Sequence, residues 1–291
     1  QTEATSIQQS INQQTITSKT SIFELLKPGL RYILIVGLVL GVLQQITGIN
    51  AVYFYATSIF KQTGIGTDAA FSSGVLLSFT TVIFTFVAIF LIDRMGRRPL
   101  LLIGMAGIAT SLLVCAYGFH KAEYKLTSQE IAAFQNFQPD LLKPIQNKGY
   151  TSDVVFKNDV KALLGNQVYA KNEGAILEAA TEMNAAIVLL GILGFIACFA
   201  FSLGPVMWVM LSELYPNAYR GLAIGVIGFV NSFTSWGVQQ LFPWELSHLG
   251  SALTFFIFGA IAFVGFFILL KILPETKGKS LEQIEMDLVK N

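Results

Sequence analysis

GVLQQITGINAVYFYATSIF, residues Gly41 to Phe60, sets three amides into an otherwise apolar run. That run extends from Ile33 to Phe60 without a charged residue, more than the roughly 20 residues a helix needs to cross a hydrocarbon core of about 30 Å. Burying an amide in hydrocarbon is costly unless it finds partners. Gln44, Gln45 and Asn50 are therefore expected to face a bundle interior or a wet cavity. On a regular helix Gln44 and Gln45 point about 100° apart, and Asn50 follows Gln45 by five positions, so the three share no simple stripe. A local loosening at Gly48 lets them, with Tyr53 and Tyr55, line one side of a cavity. Amides suit a neutral polyhydroxylated ligand because each offers donors and an acceptor, while aromatic rings cover its apolar face. The same amides also serve as hydrogen-bonded glue between packed spans, and the stretch alone leaves both readings open.

Working outward, five further uncharged runs are long enough to span once: Ala69 to Ile92, Pro99 to Phe119, Met183 to Ser212, Gly221 to Trp244 and Leu249 to Leu270. With 53% hydrophobic and 13% charged residues, the chain of 291 reads as an integral membrane protein. A net charge of +1 provides no clustered basic face for nucleic acid. All five arginines, Arg31, Arg94, Arg97, Arg98 and Arg220, fall on one side of six alternating spans. The positive-inside rule makes that side, and both termini, cytoplasmic, with Lys61 the exception in a short loop. The expected divisions are residues 1–32, a polar lead-in with a short surface helix; 33–119, the first three spans; 120–182, an extracytoplasmic insertion; 183–273, the last three spans; and 274–291, a cytoplasmic tail. The polar first twenty residues, opening on Gln, carry no secretory signal pattern, so the chain is expected to begin mid-protein or after processing. Ser21 to Glu24 forms a capping box, and Pro28-Gly29 stops the helix that follows it.

The insertion, His120 to Glu182, holds seven Lys, eight Asp or Glu and no Arg. Thr127-Ser-Gln-Glu130 predicts a capped helix, and Gly174 to Asn184 a helical lead into the fourth span. With no aromatic cluster or metal spacing, the segment reads as a solvated insertion rather than a binding module. In the fourth span Gly204-Pro205 predicts a break or pivot, because proline removes a backbone donor. Trp208, one turn later, either closes over a ligand or packs. The charged loops carry Asp93-Arg94-Met95-Gly96-Arg97-Arg98 and Glu213 to Arg220, opposite charges able to tie the ends of neighbouring spans. The arginines also serve topology alone. Cys115 and Cys198 sit in apolar runs and read as packing; His120 and His248, at span edges, read as interfacial. No HExxH, GxSxG or Walker-type loop occurs. Neither enzymatic activity, a cofactor nor a metal site is expected.

Five segments then coincide in order: QQITGIN at Gln44–Asn50, DRMGRR at Asp93–Arg98, GPVMW at Gly204–Trp208, SELYPNAYRG at Ser212–Gly221 and PETKG at Pro274–Gly278. With these the chain resembles the carboxyl-terminal half of a sugar porter of the major facilitator superfamily, similar to bacterial proton/xylose symporters and animal glucose facilitators. The resemblance implies an all-α fold of six transmembrane helices forming half a transporter, and translocation of a hexose or pentose by alternating access, coupled to protons. It implies that Gln44, Gln45, Asn50 and Asn231 hydrogen-bond the sugar, with Tyr55, Phe199 and Trp208 around it. It further implies that Asp93, Arg94, Arg97, Arg98, Glu213 and Arg220 latch the inward side in the outward-facing state. Phe54-Tyr55 stands where the family usually has two tyrosines, and Thr81 where relatives often carry a sugar-binding Asn. Substrate in such porters lies between two six-span halves, so the implied partners are a monosaccharide, protons, the bilayer, and an amino-terminal half or a second copy. The chain is accordingly expected to be a fragment or truncated product in a bacterial cell membrane. A non-transporting sugar sensor on the same fold is the alternative.

Overall fold

The computed structural model describes residues 22–64 and 67–277. Expectations for the lead-in through Ser21, for Gly278 and for the rest of the tail to residue 291 fall outside those residues. Among the described residues, six helices are long and apolar enough to cross a membrane: Leu30–Phe54, Ser72–Met95, Arg97–His120, Ala185–Leu214, Asn217–His248 and Gly250–Ile272. They match the six uncharged runs within a few residues, because uninterrupted apolarity over such lengths has few other stable outcomes. Two are interrupted. The first comprises α1 (Pro28–Ile46) and α2 (Ile49–Phe54), followed at Tyr55 by α3 (Ala56–Lys61). The second is α4 (Thr67–Met95) and the third α5 (Arg97–His120). The fourth is α9 (Ala185–Phe201) followed by α10 (Leu203–Leu214), the fifth α11 (Asn217–His248) and the sixth α12 (Gly250–Ile272). Span three packs against spans four and six, and span one against span five. Leu40, Met105, Phe195, Met207, Ile227 and Phe255 are among the fully buried side chains that join the spans into one core, to which α4 adds Leu77. The six spans alternate in direction, so Met95, Leu214 and Ile272 lie at one end of the bundle and Lys61, His120 and His248 at the other.

Between spans three and four the chain folds into a unit with its own core, rather than the solvated insertion expected. Its helices are α6 (Ser128–Ala133), α7 (Asp153–Leu164) and α8 (Asn166–Ala180). Thr127 caps α6 in the predicted capping box, reciprocated by Glu130. The predicted helical lead through Asn184 ends earlier. Residues Thr181–Glu182 (β2) instead pair antiparallel with Glu123–Tyr124 (β1), closing the neck of the unit, and Asn184 caps α9. An aromatic group that no local window could reveal lies in its core: Tyr124 stacks on Phe156 at 5.6 Å and Tyr150 meets the same ring edge-on at 5.5 Å. Burial pushes the Tyr124 hydroxyl well above its ordinary range, with Asp153 adding to it, so it stays protonated.

A buried ion pair fixes this unit to the bundle. Asp153 accepts from Lys157 Nζ at 3.2 Å, from the Ser251 amide at 3.1 Å and from Ser251 Oγ at 3.2 Å, while Lys157 also donates to Gln62 Oε1 at 3.0 Å. The carboxylate thus sits at the amino end of α12, where a negative charge is favoured. Truncating one partner of such a pair costs about 3–5 kcal/mol because the other is left buried and unpaired. Lys157→Met is expected to raise hydrogen exchange across α7 by at least tenfold. Unchanged protection would mean that other contacts hold the unit down.

Candidate functional site

The two interrupted spans meet at their interruptions. Gly48 adopts φ +86, a left-handed conformation that suits glycine, and an added Cβ would lie 2.8 Å from the Phe258 ring. This is the loosening expected of Gly48, and it turns α2 so that Asn50 rejoins Gln45. In span four the break lies at Ser202 (φ −127, ψ −98), not at Gly204-Pro205. Pro205 is the cause at a distance: it cannot donate to the Phe201 carbonyl and its ring crowds that carbonyl, so the helix yields one residue later, and Gly204 and Pro205 lie inside the first turn of α10. Ser202 packs so closely on Gly104 of α5 that a Cβ there would come within 1.8 Å of Ser202 Oγ. Across the breaks, Gln44 Nε2 donates to the Leu203 carbonyl at 2.8 Å.

From that contact an amide network runs from span one to span five. Gln44 Oε1 accepts from Asn231 Nδ2 at 2.7 Å and from Gln45 Nε2 at 3.3 Å. Gln45 Nε2 also donates to Asn231 Oδ1 at 3.1 Å, and Asn231 Nδ2 to the Gly41 carbonyl at 2.8 Å. Asn50 Nδ2 donates to Gln45 Oε1 at 2.9 Å and to Ser235 Oγ at 2.7 Å. Ser235 Oγ also accepts from Gln239 Nε2 at 3.0 Å. Gln44, Gln45 and Asn231 are buried and Asn50 is half-buried, so the network passes from the core to an open polar hollow of about 250 Å³. Gln45, Asn50, Asn231, Ser235 and Gln239 line the hollow, with Trp236 at its side. Gln44 lies behind the wall, a hub rather than a lining residue.

Ser235 and Gln239 were not anticipated, yet the signal was in the sequence: Asn231, Ser235 and Gln239 recur every four residues along an uncharged span, one face of a helix. The predicted aromatics lie elsewhere. Tyr55 packs on Phe242 with ring centroids 5.4 Å apart, Phe199 lies against Gly204 beside the second break, and Trp208 is 39% exposed with its ring reaching toward Gly228. None of the three lines the hollow. Thr81, at the position noted for a sugar-binding Asn, hydrogen-bonds the Tyr53 hydroxyl and so ties span two to α2.

At the charged end, three of the six predicted latch residues form one ion-pair group. Arg97 Nη2 lies 2.6 Å from Glu213 Oε1 and 3.4 Å from Asp93 Oδ1. Thr276 Oγ1 donates to Glu213 Oε2 at 2.7 Å. Arg98 donates instead to the Leu270 carbonyl at 2.9 Å, Arg220 Nε to the Tyr215 carbonyl at 3.3 Å, and Arg94 supplies a carbonyl to Lys277 Nζ at 2.6 Å. Glu275, outside the predicted set, accepts from the Arg97 and Arg98 backbone amides at 3.2 and 3.3 Å. It is an anion on the amino end of α5, so the segment after span six is stitched to spans three and four.

The chain has relatives among known proteins. A family profile described as "Sugar (and other) transporter" matches residues 1–134 and 162–288. The chain belongs to this family. The stretch left unmatched, 135–161, lies within the inserted unit. An arabinose-proton symporter of Bacillus subtilis is 30% identical over 274 residues, covering 94% of this chain and 46% of that protein. The D-xylose-proton symporter of Escherichia coli K12 is 28% identical over 259 residues, covering 87% and 40%. Among solved structures, the major facilitator superfamily proton:xylose symporter XylE bound to 6-bromo-6-deoxy-D-glucose superimposes with a TM-score of 0.62 at 26% identity, covering 88% of this chain and 42% of that one. The chain spans less than half the length of these relatives. As a member of the sugar transporter family it is an integral membrane protein with that superfamily's helical fold.

Proposed function

We propose that this chain supplies one wall of the translocation path of a monosaccharide transporter, a proton symporter working by alternating access, with the charged end and both termini cytoplasmic. The observation that carries the reading is the network joining Gln44, Gln45, Asn50, Asn231 and Ser235, which opens on a hollow lined by hydrogen-bonding groups. Amide glue alone would close on itself, whereas Asn50 and Gln239 remain half-buried at an open polar face. The relatives named as arabinose- and xylose-proton symporters support a pentose as cargo, and the xylose symporter bound to a glucose derivative supports a hexose as well. The hollow is open on one side, and the apolar faces of α4 and α11, including Phe79, Phe86, Phe229 and Phe233, are exposed. Both features suit coverage by a second six-span half, with the bilayer around the rest. Within this reading the unit at residues 120–182 faces outward, and the Arg97, Asp93 and Glu213 group closes the cytoplasmic ends when the cavity opens outward.

Asn50→Ala removes a donor at the rim while leaving the buried hub intact. It is expected to weaken sugar binding in native membranes at least tenfold, about 1.4 kcal/mol, with thermal stability little changed. Unaltered affinity for every sugar that the wild type binds would remove Asn50 from the site.

A further inference from the structure

A second polar cleft, of about 340 Å³, lies between α8 of the inserted unit and the end of span one. That volume falls within the roughly 300–1,000 Å³ typical of small-molecule sites. Ser58, Lys61 and Gln62 form one side, and Lys171, Asn172 and Glu173 the other. Gln62 and Asn172 are 7% and 8% exposed, each with hydrogen-bonding capacity left over. Gln62 Oε1 is taken by Lys157 and Ser251, but among the described residues its amide nitrogen has no acceptor. Asn172 Nδ2 donates to the Val168 carbonyl at 2.9 Å, while its Oδ1 likewise has no donor among the described residues. Neither of these two atoms is fully enclosed, so both present their free capacity to the cleft. Glu173 accepts from Tyr169 at 3.1 Å, and burial together with the Glu173 charge pushes the Tyr169 hydroxyl far above its ordinary range, so it stays a donor.

We propose that this cleft is a second binding site, for a neutral polyhydroxylated ligand of monosaccharide size, which docks there before reaching the hollow. Free donors at Gln62, Lys61 and Lys171 and free acceptors at Asn172 and Glu173 match the paired donor and acceptor character of hydroxyls. Two lysines and one carboxylate line the cleft, so an anion competes for the same donors and inorganic phosphate serves as the competing ligand in the test. The Asp153 and Lys157 clamp holds the two sides in fixed relation, so the site is preorganised. The ligand class rests on the sugar reading above, but the cleft is built wholly from this chain.

The test is calorimetric titration of the purified chain in lipid nanodiscs with L-arabinose, D-xylose, D-glucose and myo-inositol, and with inorganic phosphate. Ala175, exposed on the cleft wall, is replaced by Trp as a plug, and Asn172→Ala removes the unfilled acceptor without adding bulk. At least one of the four polyols is expected to bind. Ala175→Trp should weaken that binding tenfold or more and Asn172→Ala at least threefold, while any separate binding that Asn50→Ala alone removes belongs to the hollow. Wild-type affinity in Ala175→Trp, binding lost only in Asn50→Ala, or binding of phosphate alone would each overturn the proposal. So would silence from all four polyols, and in that event the hollow is judged separately, by sugar protection in native membranes.

Discussion

Gln44→Leu is expected to abolish sugar binding and to destabilise the bundle, a combination that separates the hub from the rim. The substitution is close in volume and suits hydrocarbon, so the loss reads on hydrogen bonds rather than packing. Four bonds disappear: the donations to the Leu203 and, at 3.5 Å, Gly204 carbonyls and the acceptances from Gln45 and Asn231. One hydrogen on each of two neighbouring amides is left without an acceptor, and the two span breaks lose their direct tie. Interhelical hydrogen bonds in membranes average about 0.6 kcal/mol, but a stranded buried donor costs about 1–3 kcal/mol. The sum is on the order of 3 kcal/mol, read as a lowered thermal midpoint in detergent. Because Gln44 also fixes where Gln45 and Asn231 point, binding is expected to fall at least a hundredfold, about 2.7 kcal/mol. A Gln44→Leu protein of wild-type stability would show that the network contributes little to the fold. One that binds normally would show that it does not shape the site.

The second large effect is expected at the charged end. Arg97→Met leaves the Glu213 carboxylate with Thr276 alone and brings it no cation in place of the guanidinium. The Arg97 side chain is 13% exposed and that of Glu213 28%, so the pair lies between a buried and a surface ion pair. Its disruption is expected to cost roughly 1–3 kcal/mol. If the cluster holds the ends of spans two, three and four together in one state only, that energy shifts the balance between states by at least tenfold. The readout is solvent access to a cysteine placed at Tyr219, half-buried near this end. Labelling should rise in Arg97→Met and return toward wild type in the charge-swapped Arg97→Glu, Glu213→Arg protein. Equal labelling in all three would reduce the arginines to topology signals.

The spans were legible because a long apolar run without charge has essentially one outcome in a bilayer, and the first interruption because Gly48, set between the amides, takes a positive φ cheaply. The second interruption was placed two to three residues late because the residue that causes a proline break is not the residue that bends: the crowding falls on the preceding turn. The buried amides were legible as an anomaly, three polar groups where none should be without partners. Their partners were less so, since Gln44 finds a backbone carbonyl 159 positions away. Ser235 and Gln239 carried a four-residue period that was there to be read, but hydroxyls and lone amides on a helix are common enough to pass as surface. The latch was half legible. Charge sign and loop position do not say that Arg97 reaches Glu213 while Arg98 turns to a carbonyl, nor that Glu275 would stitch the end of α5. Least visible was the inserted unit, whose core is assembled from Tyr124, Leu142, Phe156 and Ile176, apolar residues too far apart to mark a periodic element.

The central claim is that the hollow beside Asn50 and Asn231 holds a sugar. Ser232 is exposed, lines the hollow and takes no part in the amide network, so Ser232→Cys reports occupancy without damaging the wall. The decisive measurement is the rate at which a water-soluble maleimide labels Ser232→Cys in native membranes, with and without L-arabinose, D-xylose, D-glucose or myo-inositol. A reduction of at least fivefold by one of these, lost when Asn50→Ala is added, is the predicted result. A labelling rate that no sugar changes, in protein that is folded and reactive, would contradict the account.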